Sequence, residues 1–240
     1  MTALQGKTIL ITGGTSRLGS AFVTKALAEG ARVFFTYFQH EEDAKALTRQ
    51  GAEGFLLDLS GTSAIDEFAK AFKEKAEELH ILIHNAATVR DHTIQNMTEE
   101  EWDEVLSVNL KAPYYLTKKL LPLLFRVKSK VFMITSRAAQ VGSFGSSNYA
   151  ASKAGLAALA KSLAQELGKK EILVNAVNPG FMQSRMTERL PESVLQMQKR
   201  ASVLGRYSDP EEVADFLVYL CSDRMSGVSG QIFHFESRKT

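Results

Sequence analysis

The chain has 240 residues, which suits one domain with a substantial core. Hydrophobic residues make up 45% of it and charged residues 23%, a balance that excludes a disordered or fibrous protein. The formal net charge of +2 is small and dispersed, and no motif of a groove-reading module is present, so we expect no nucleic-acid partner.

The single cysteine, Cys221, excludes an internal disulfide and favours a reducing compartment. It lies in the apolar helical pattern VADFLVYLCSD, which predicts a buried structural thiol rather than a nucleophile. The first residues lack the pattern of a secretory signal, and no apolar run is long enough to cross a membrane. We therefore expect a cytoplasmic protein without a membrane partner.

Seven short apolar runs, rich in β-branched and aromatic residues, alternate with longer amphipathic segments. Because these runs lack strict polar alternation, they are typical of a parallel sheet that is covered on both faces. The predicted strands are Thr8 to Thr12, Arg32 to Thr36, Gly54 to Leu57, Ile81 to His84, Lys130 to Thr135, Leu173 to Val177 and Ile232 to Phe235.

The amphipathic segments predict six helices, of which the last begins with the cap Asp209 and a first-turn proline, Pro210. The alternation predicts an α/β fold, a single doubly wound Rossmann-like domain covering residues 1–240, with ligands beyond the carboxyl ends of its strands. The predicted helices are Gly19 to Glu29, Glu41 to Gln50, Thr62 to Glu78, Thr98 to Leu124, Asn148 to Leu167 and Pro210 to Leu220.

One segment, Phe181 to Ser208, carries mixed helical signals and fits neither element type. A long irregular segment inside a compact domain is more often a binding flap than a structural accident. We therefore predict that residues 181–208 form a substrate flap.

The stretch ILITGGTSRLGSAF joins the first predicted strand to the first helix. Its glycines Gly13, Gly14 and Gly19 do not match G-x-G-x-x-G literally. Small residues there would still let a pyrophosphate approach the backbone, and the helix N-terminus offers unpaired N–H groups and a positive dipole. Taken alone, the glycines are explained as well by an ordinary turn, and Arg17 by a solvated turn residue.

The end of the second predicted strand, Thr36 to His40, carries no carboxylate. Enzymes that prefer NAD place an acid there for the adenosine ribose, whereas those that use NADP leave room for a 2′-phosphate. Ser16, Arg17 and Gln39 are candidate donors to that phosphate, and so is His40, although a solvated loop also explains His40. The sequence therefore favours NADP.

Tyr149 and Lys153 lie four residues apart in SSNYAASKAGL, on one face of a predicted helix. A free tyrosine has a pKa near ~10 and is a poor acid or base at neutral pH. A nearby ammonium favours the phenolate, so we predict that Lys153 lowers the pKa of Tyr149 and creates a usable general acid. By itself such a pair also occurs by chance on helix surfaces.

Two more positions bear on this chemistry. Ser136 ends the strand KVFMITS, where its hydroxyl can donate to a substrate carbonyl; an ordinary strand-end serine is the alternative. Asn109 lies four residues before Pro113, which has no N–H, so the carbonyl of Asn109 loses its helical partner and the helix should kink. A water on that carbonyl, joined to Lys153, would give a proton path to Tyr149; a helix merely bent around the core is the alternative.

These residues, in this order and over nearly the whole chain, resemble the short-chain dehydrogenase/reductase family, in particular its bacterial 3-oxoacyl-[acyl-carrier-protein] reductases. The matching stretches are TGGTSRLG, LDLS, HNAA, SVNL, ITS, YAASK, VNAVNPGFMQSRMT and GRYSDPEEVADFLVYLCSD. Together they are specific, whereas no single one is.

The resemblance implies a catalytic tetrad of Asn109, Ser136, Tyr149 and Lys153 and no metal ion. In it Tyr149 is the general acid, Ser136 positions the carbonyl, and Lys153 also holds the nicotinamide ribose. The implied cofactor is NADP(H), and the residues implied to contact it are Gly13, Thr15, Ser16, Arg17, Leu18, Gly19, Tyr37, Phe38, Gln39, Asp58, Leu59, Asn85, Ala86, Ala87, Tyr149, Lys153, Pro179, Gly180, Met182 and Ser184.

The chain departs from the family pattern at three places. The usual NNAG is HNAA here, and the usual C-terminal VDGG, which often packs at a subunit interface, is replaced by HFESR, His234 to Arg238. Arg17 replaces a glycine of TGxxxGxG, and with Tyr37 it is similar to pteridine reductases of the same family. Those enzymes usually carry aspartate at the position of Ser136, and we give the serine more weight because it would touch the reacting carbonyl.

The expected function is NADPH-dependent reduction of a carrier-protein-bound 3-oxoacyl group by a homotetramer. The alternatives are reduction of a dihydropterin or another small carbonyl compound, and a catalytically silent NADP-binding sensor. An acidic carrier protein would need a basic docking surface, for which the candidates are Lys169, Lys170, Arg126, Lys128 and Lys130; lysines at helix ends are also explained as solvated caps.

Overall fold

Parallel strands with apolar side chains form the centre of the molecule. The computed structural model describes residues 2–185, 187–188 and 190–236. Its strands are β1 Thr8–Ile11, β2 Arg32–Tyr37, β3 Glu53–Leu56, β4 Ile81–His84, β5 Lys130–Ile134, β6 Leu173–Asn178 and β7 Ile232–His234. They form one seven-stranded sheet in the order β3-β2-β1-β4-β5-β6-β7, and every pairing is parallel.

Helices connect these strands and cover both faces of the sheet. They are α1 Arg17–Ala28, α2 Glu41–Arg49, α3 Thr62–Lys75, α4 Glu99–Leu106, α5 Ala112–Leu124, α6 Ala138–Val141, α7 Ser147–Leu167, α8 Glu192–Ala201 and α9 Pro210–Cys221. A π-helical turn, Ser107–Lys111, joins α4 to α5, and a 3-10 turn, Gly168–Lys170, follows α7. The predicted α/β fold with a doubly wound parallel sheet is confirmed.

The core lies in two layers because successive side chains of a strand point to opposite faces of the sheet. In β1, Ile9 and Ile11 belong to the layer under α1 and α9, while Leu10 belongs to the layer under α3, α5 and α7. All three side chains are fully buried. This two-sided burial explains why the strands have apolar runs without alternation.

The chain reverses its direction of travel across the sheet at β1. After β3 it crosses back, and β4 pairs with the free side of β1. In doubly wound sheets this switch leaves a crevice beyond the carboxyl ends of the strands. The glycine-rich turn after β1 and the HNAA segment after β4 therefore meet at one edge.

The helix predicted as Thr98 to Leu124 is interrupted where the sequence predicts a kink. Thr98 forms a capping box with Glu101 at its start. The π-helical turn then places the N–H of Ala112 on the carbonyl of Ser107, one residue further back than an α-helix would. Pro113, at the start of α5, has no N–H to continue the α-helical pattern.

Two helices lie where the sequence predicted none. The four-residue α6 follows Ser136, and α8 lies within the segment 181–208. None of the α8 residues is buried, and the helix is polar overall. Among the residues that the structure describes, no helix is both long and apolar enough to span a bilayer.

Lys130, a candidate for carrier-protein docking, is buried and does not belong to a basic surface. Its ammonium donates to the carbonyls of Leu220, Ser222 and Met225 at 3.1, 2.5 and 2.7 Å, beyond the end of α9. Burial lowers its pKa. The sequence prediction was wrong here because the side chain of a strand residue turns inward to satisfy carbonyls that a helix end leaves unpaired.

We expect Lys130→Met to lower the free energy of unfolding by about 2 kcal/mol, since buried carbonyls lose their donor. Urea unfolding measures this loss. The matched control is Lys128→Met, which removes an exposed pair with Glu171 and should change stability by about 0.5 kcal/mol or less. Equal losses in the two variants would contradict the capping role of Lys130.

Cys221 is buried at the end of α9, as predicted, and burial raises the pKa of its thiol. A thiol that resists ionisation is a poor nucleophile. Cys221 belongs to the core layer under α1 and α9, where it is a packing residue.

Candidate active site

The glycine-rich turn leads from β1 into α1. The Ser16 hydroxyl accepts a hydrogen bond from the Gly19 N–H at 3.0 Å and caps the helix. The N–H groups of Arg17 and Leu18 lie in the first turn and have no intrahelical acceptor. Gly13 has a φ of 66°, and a Cβ there would lie 2.9 Å from the Cα of Ala86. The turn thus offers N–H groups at a helix N-terminus, as a phosphate site requires.

Asn85, in the HNAA segment, ties this turn to β4. Its amide donates to the carbonyls of Thr12 at 3.0 Å and Gly13 at 2.9 Å, and to the Ser16 hydroxyl at 3.1 Å. The Thr12 hydroxyl in return accepts from the N–H of Asn85 and of Ala86. The structure therefore gives Asn85 a positioning role beneath the turn.

The predicted adenosine end lies at the ends of β2 and β3. Tyr37 is half-buried, and Phe38 and Gln39 are exposed beyond it. Asp58 follows β3, and one of its carboxylate oxygens accepts from the Ser60 N–H at 2.8 Å. The remaining predicted residues of this end are Leu59, which is buried, and Ala86 and Ala87, which are half-buried.

Arg17 stands at the first residue of α1 and points to the segment 181–208. Its guanidinium lies 3.1 Å from the carboxylate of Glu188, and both side chains are about half exposed. An exposed pair of this kind contributes little to stability. An anion of higher charge, such as a phosphate group, can therefore displace the Glu188 carboxylate from Arg17.

Ser136, Tyr149 and Lys153 come together beyond the end of β5. The hydroxyl of Ser136 faces the phenol of Tyr149 closely enough to act on its pKa as a hydrogen-bond partner. The Lys153 ammonium lies 5.7 Å from the centre of the Tyr149 ring and donates to the Ile134 carbonyl at 2.8 Å. Lys153 is almost fully buried, and this burial lowers its pKa to about 8.

The predicted direction of the Tyr149 pKa is wrong. Burial raises the pKa of Tyr149, and the contact with Ser136 only partly opposes that rise. The helical spacing places Lys153 correctly, but its ammonium is held by the Ile134 carbonyl. The phenol is protonated at neutral pH, as an ordinary tyrosine with a pKa of about 10 already is, and the raised pKa makes it a weaker acid.

Asn109, at the centre of the π-helical turn, is fully buried. Its side-chain oxygen accepts from the Thr88 N–H at 2.8 Å, and its amide donates to the Thr88 carbonyl at 2.9 Å and the Ser152 hydroxyl at 3.1 Å. Ser152 in turn donates to the Tyr149 carbonyl at 2.7 Å. The side chain thus connects the segment after β4 to α7, and the water predicted on its main-chain carbonyl stays a prediction.

The predicted nicotinamide end follows β6. Pro179 is buried, and Gly180 has a φ of 76°, where a Cβ would lie 2.8 Å from the Phe235 carbonyl. Met182 packs against the core, and the Ser184 N–H donates to the Thr187 hydroxyl at 2.8 Å. The segment 181–208 is closed at its base, since the Ser208 N–H donates to the Phe181 carbonyl at 2.9 Å.

His234 of β7 was not among the predicted site residues. Its two ring nitrogens lie 3.2 Å from the amide nitrogen of Asn178 and 3.1 Å from that of Gln140, four residues after Ser136. A neutral imidazole accepts at one nitrogen only, so one amide must present its oxygen to the other ring N–H. The replacement of the family's VDGG by HFESR was the sequence signal that could have pointed to His234. Ser237 and Arg238 of this stretch lie outside the described residues.

His84, the first residue of HNAA, is buried against α5. Its Nε2 lies 2.8 Å from the Thr117 hydroxyl. Burial lowers the pKa of His84 from 6.5 to about 3, so the folded protein holds a neutral imidazole. The unfolded chain takes up the proton near pH 6.5, and stability present above that pH is lost as the pH falls toward 3.

We expect this loss to be about 1.4 kcal/mol per pH unit below the unfolded pKa, hence about 2 kcal/mol near pH 5. Urea unfolding at about pH 7.5 and about pH 5 should show a smaller acid-induced loss in His84→Asn than in the wild type. His40→Asn, at an exposed position, is the control and should keep the wild-type difference. An unchanged pH difference in His84→Asn would refute the assignment.

The geometry defines an oxidoreductase of the short-chain dehydrogenase/reductase family, and comparison with known proteins shows that the chain belongs to it. Residues 14–237 match the family model described as Enoyl-(Acyl carrier protein) reductase. Members of this family act on carbonyl or alcohol groups with a nicotinamide cofactor.

The similar relatives share almost the whole chain. The 3-oxoacyl-[acyl-carrier-protein] reductase FabG of Thermotoga maritima is 35% identical over 95% of this chain and 96% of its own. The enzyme of the same name from Aquifex aeolicus is 35% identical over 96% of each chain. A solved structure, the Pseudomonas aeruginosa RhlG/NADP active-site complex, is 29% identical with a TM-score of 0.90 and covers 98% of this chain and 96% of its own.

The site fits a dinucleotide in its hydrogen-bonding groups. The helix N–H groups of the glycine-rich turn suit a pyrophosphate. Asp58 at the end of β3 has a carboxylate oxygen beyond the one that accepts from Ser60. The cluster of Ser136, Tyr149 and Lys153 lies beyond β5 on the same sheet edge. When bound, a nicotinamide supplies the hydride chemistry, while this chain supplies placement and a proton.

Proposed function

We propose that this protein is an NADPH-dependent reductase that converts a carrier-protein-bound 3-oxoacyl group to the 3-hydroxyacyl form. The observation that carries the proposal is that Ser136 is a hydrogen-bond partner of the Tyr149 phenol, whose ring centre lies 5.7 Å from the ammonium of the buried Lys153. The similarity to 3-oxoacyl-[acyl-carrier-protein] reductases over nearly the full chain supports the substrate class. We further propose one catalytic domain, residues 1–240, with residues 181–208 as its substrate flap.

The chain's own residues would position the ketone and protonate it. The Ser136 hydroxyl donates to the carbonyl oxygen and holds it beside Tyr149. The Tyr149 phenol, protonated at neutral pH, gives its proton to that oxygen as negative charge develops there. Lys153, whose ammonium lies 5.7 Å from the centre of that ring, would hold the nicotinamide ribose.

Use of NADP(H) is supported by charge at the adenosine end. The strand end Thr36 to His40 has no carboxylate to bind a ribose hydroxyl or to repel a phosphate. Arg17 is a cation with an easily replaced partner, Glu188. A similar structure, at 29% identity, is described as an NADP complex.

The decisive experiment compares substrates with the purified protein. NADPH oxidation is followed with an acetoacetyl thioester of acyl carrier protein, a crotonyl thioester and a dihydropterin, and each is repeated with NADH. We expect turnover with the acetoacetyl thioester and NADPH. Preference for the dihydropterin, to which Arg17 and Tyr37 point, or for the crotonyl thioester would assign another substrate, and no turnover would favour a silent sensor.

We propose a homotetramer, supported by an apolar groove between α4, the π-helical turn, α5 and α7. The groove has a volume of about 430 Å³ and is lined by Leu106, Leu110, Tyr114 and Leu159 among others. A second copy of this chain would cover it. Sedimentation velocity should give a tetramer for the wild type and smaller species for Leu110→Lys; a wild-type monomer would overturn the assembly.

Docking of a carrier protein would use fewer basic residues than the sequence suggested. Lys130 is buried and is removed from the set, whereas Lys128 has only an exposed pair with Glu171 at 2.7 Å, which an acidic carrier protein would replace. Lys169 and Lys170, in the exposed 3-10 turn after α7, keep their place in this proposal.

A further inference from the structure

A single turn of the segment 181–208 lies against the glycine-rich turn and α2. We call Ser184, Arg185, Thr187 and Glu188 the flap turn. The N–H groups of Thr187 and Glu188 both donate to the Ser184 carbonyl, at 2.9 and 3.0 Å. The Ser184 N–H donates to the Thr187 hydroxyl at 2.8 Å. These bonds hold Arg185 and Glu188 in a defined relation to each other.

The flap turn carries one acidic and one basic side chain. Each of them pairs with an oppositely charged side chain at the predicted cofactor site. Glu188 pairs with Arg17 at the start of α1 at 3.1 Å. Arg185 donates to the carboxylate of Asp43 on α2 at 2.5 Å and, through its other terminal nitrogen, to the Thr15 carbonyl at 3.1 Å. One guanidinium therefore spans from the glycine-rich turn to α2.

Asp43 belongs to a run of three acids, Glu41, Glu42 and Asp43, in the first turn of α2. This turn directly follows the strand end where the 2′-phosphate is expected. Lys45 of the same helix lies 3.2 Å from Glu41 and 2.9 Å from Glu42. Asp43 pairs with Arg185 instead, so its charge is neutralised from the flap turn.

We propose that Arg185 determines the preference for NADP(H) over NAD(H) by neutralising Asp43. While Arg185 pairs with Asp43, the Asp43 carboxylate does not oppose the binding of a 2′-phosphate to Arg17. Without Arg185, the Asp43 carboxylate would be an uncompensated anion in the turn that follows the strand end where the dianionic 2′-phosphate is expected, and like charges repel. Arg185 is thus a positioning residue that acts through Asp43, and the inference rests on the proposed use of NADP(H).

The test is a double-mutant cycle of dissociation constants, measured by titration calorimetry with NADP⁺ and with NAD⁺. We expect Arg185→Gln to weaken NADP⁺ binding about tenfold at low salt and NAD⁺ binding less than twofold. Asp43→Asn leaves the Arg185 cation uncompensated, so it should tighten NADP⁺ binding and leave NAD⁺ binding within about twofold of wild type. The double variant Arg185→Gln with Asp43→Asn has neither charge and should return to about the wild-type NADP⁺ affinity.

Two controls separate this effect from a general loss of flap structure. Arg206→Gln removes another arginine of the segment 181–208, which forms a two-pronged pair with Glu212, and should leave both dissociation constants unchanged. The tenfold loss in Arg185→Gln should shrink as ionic strength rises, since exposed charges are screened. Thermal unfolding checks that all variants are folded.

Equal weakening of NADP⁺ and NAD⁺, or no weakening, would overturn the proposal. A double variant as weak as Arg185→Gln would also overturn it, since Arg185 would then contact the phosphate directly. A wild type that binds NAD⁺ as tightly as NADP⁺ would overturn the proposed cofactor itself. Unchanged binding in Arg185→Gln beside a clear NADP⁺ preference would overturn only the role of Arg185.

Discussion

Replacing Tyr149 by phenylalanine is expected to lower kcat for the acetoacetyl thioester by about a thousandfold, within the range that loss of a general acid produces. The phenol is the proton donor in the proposed reaction, and it is protonated at neutral pH. Phenylalanine keeps the ring beside Lys153 but removes the hydroxyl that faces Ser136. The substrate oxygen would then have only the Ser136 hydroxyl and water to stabilise its charge.

Binding and turnover must be measured on the same variant. Calorimetry should give an NADP⁺ dissociation constant within about threefold of wild type, because a phenolic hydroxyl contributes little to binding the adenosine end. The matched control is Tyr115→Phe, which loses only hydrogen bonds of 3.0 and 3.1 Å to Asp66 on the surface. Full activity in Tyr149→Phe would overturn the mechanism, and an equal loss in both variants would indicate a fold effect.

The sheet could be predicted from the sequence because its strands are buried on both faces. An apolar run such as Ile81 to His84 predicts a buried strand, and β4 has the same bounds. The bounds of β3 were shifted by one residue, to Glu53–Leu56, because its residues are only partly buried and carry a weaker pattern. The four-residue α6 is too short to show a helical period, and α8 is polar overall and has no buried residue.

The predicted site has a local part and a part that depends on the fold. The spacing of Tyr149 and Lys153 and the proline after Asn109 act within a few residues, so their helical geometry could be predicted. The Tyr149 pKa could not, because its direction depends on how deeply the fold buries the ring. The pairs of Arg17 with Glu188 and of Arg185 with Asp43 join residues 171 and 142 positions apart, and no local pattern indicates them.

Arg17→Gly, which puts back the glycine of the family pattern, is expected to raise the dissociation constant for NADP⁺ between about tenfold and a hundredfold. A charge-assisted hydrogen bond to a phosphate contributes about 1.5–3 kcal/mol, and about 1.4 kcal/mol corresponds to a factor of ten. NAD⁺ has no 2′-phosphate, so its dissociation constant should change less than threefold. Calorimetry with both nucleotides, and the Michaelis constants for NADPH and NADH, measure the difference.

Two further variants separate the cation from its surroundings. Arg17→Ala should match Arg17→Gly, which excludes an effect of glycine on the first turn of α1. Glu188→Gln breaks the same 3.1 Å ion pair but keeps the guanidinium, so NADP⁺ should bind equally well or up to about fivefold more tightly. If Glu188→Gln weakened NADP⁺ binding as Arg17→Gly does, the pair would act by holding the flap turn. Equal losses of NADP⁺ and NAD⁺ in Arg17→Gly would instead place Arg17 at a phosphate that both nucleotides share.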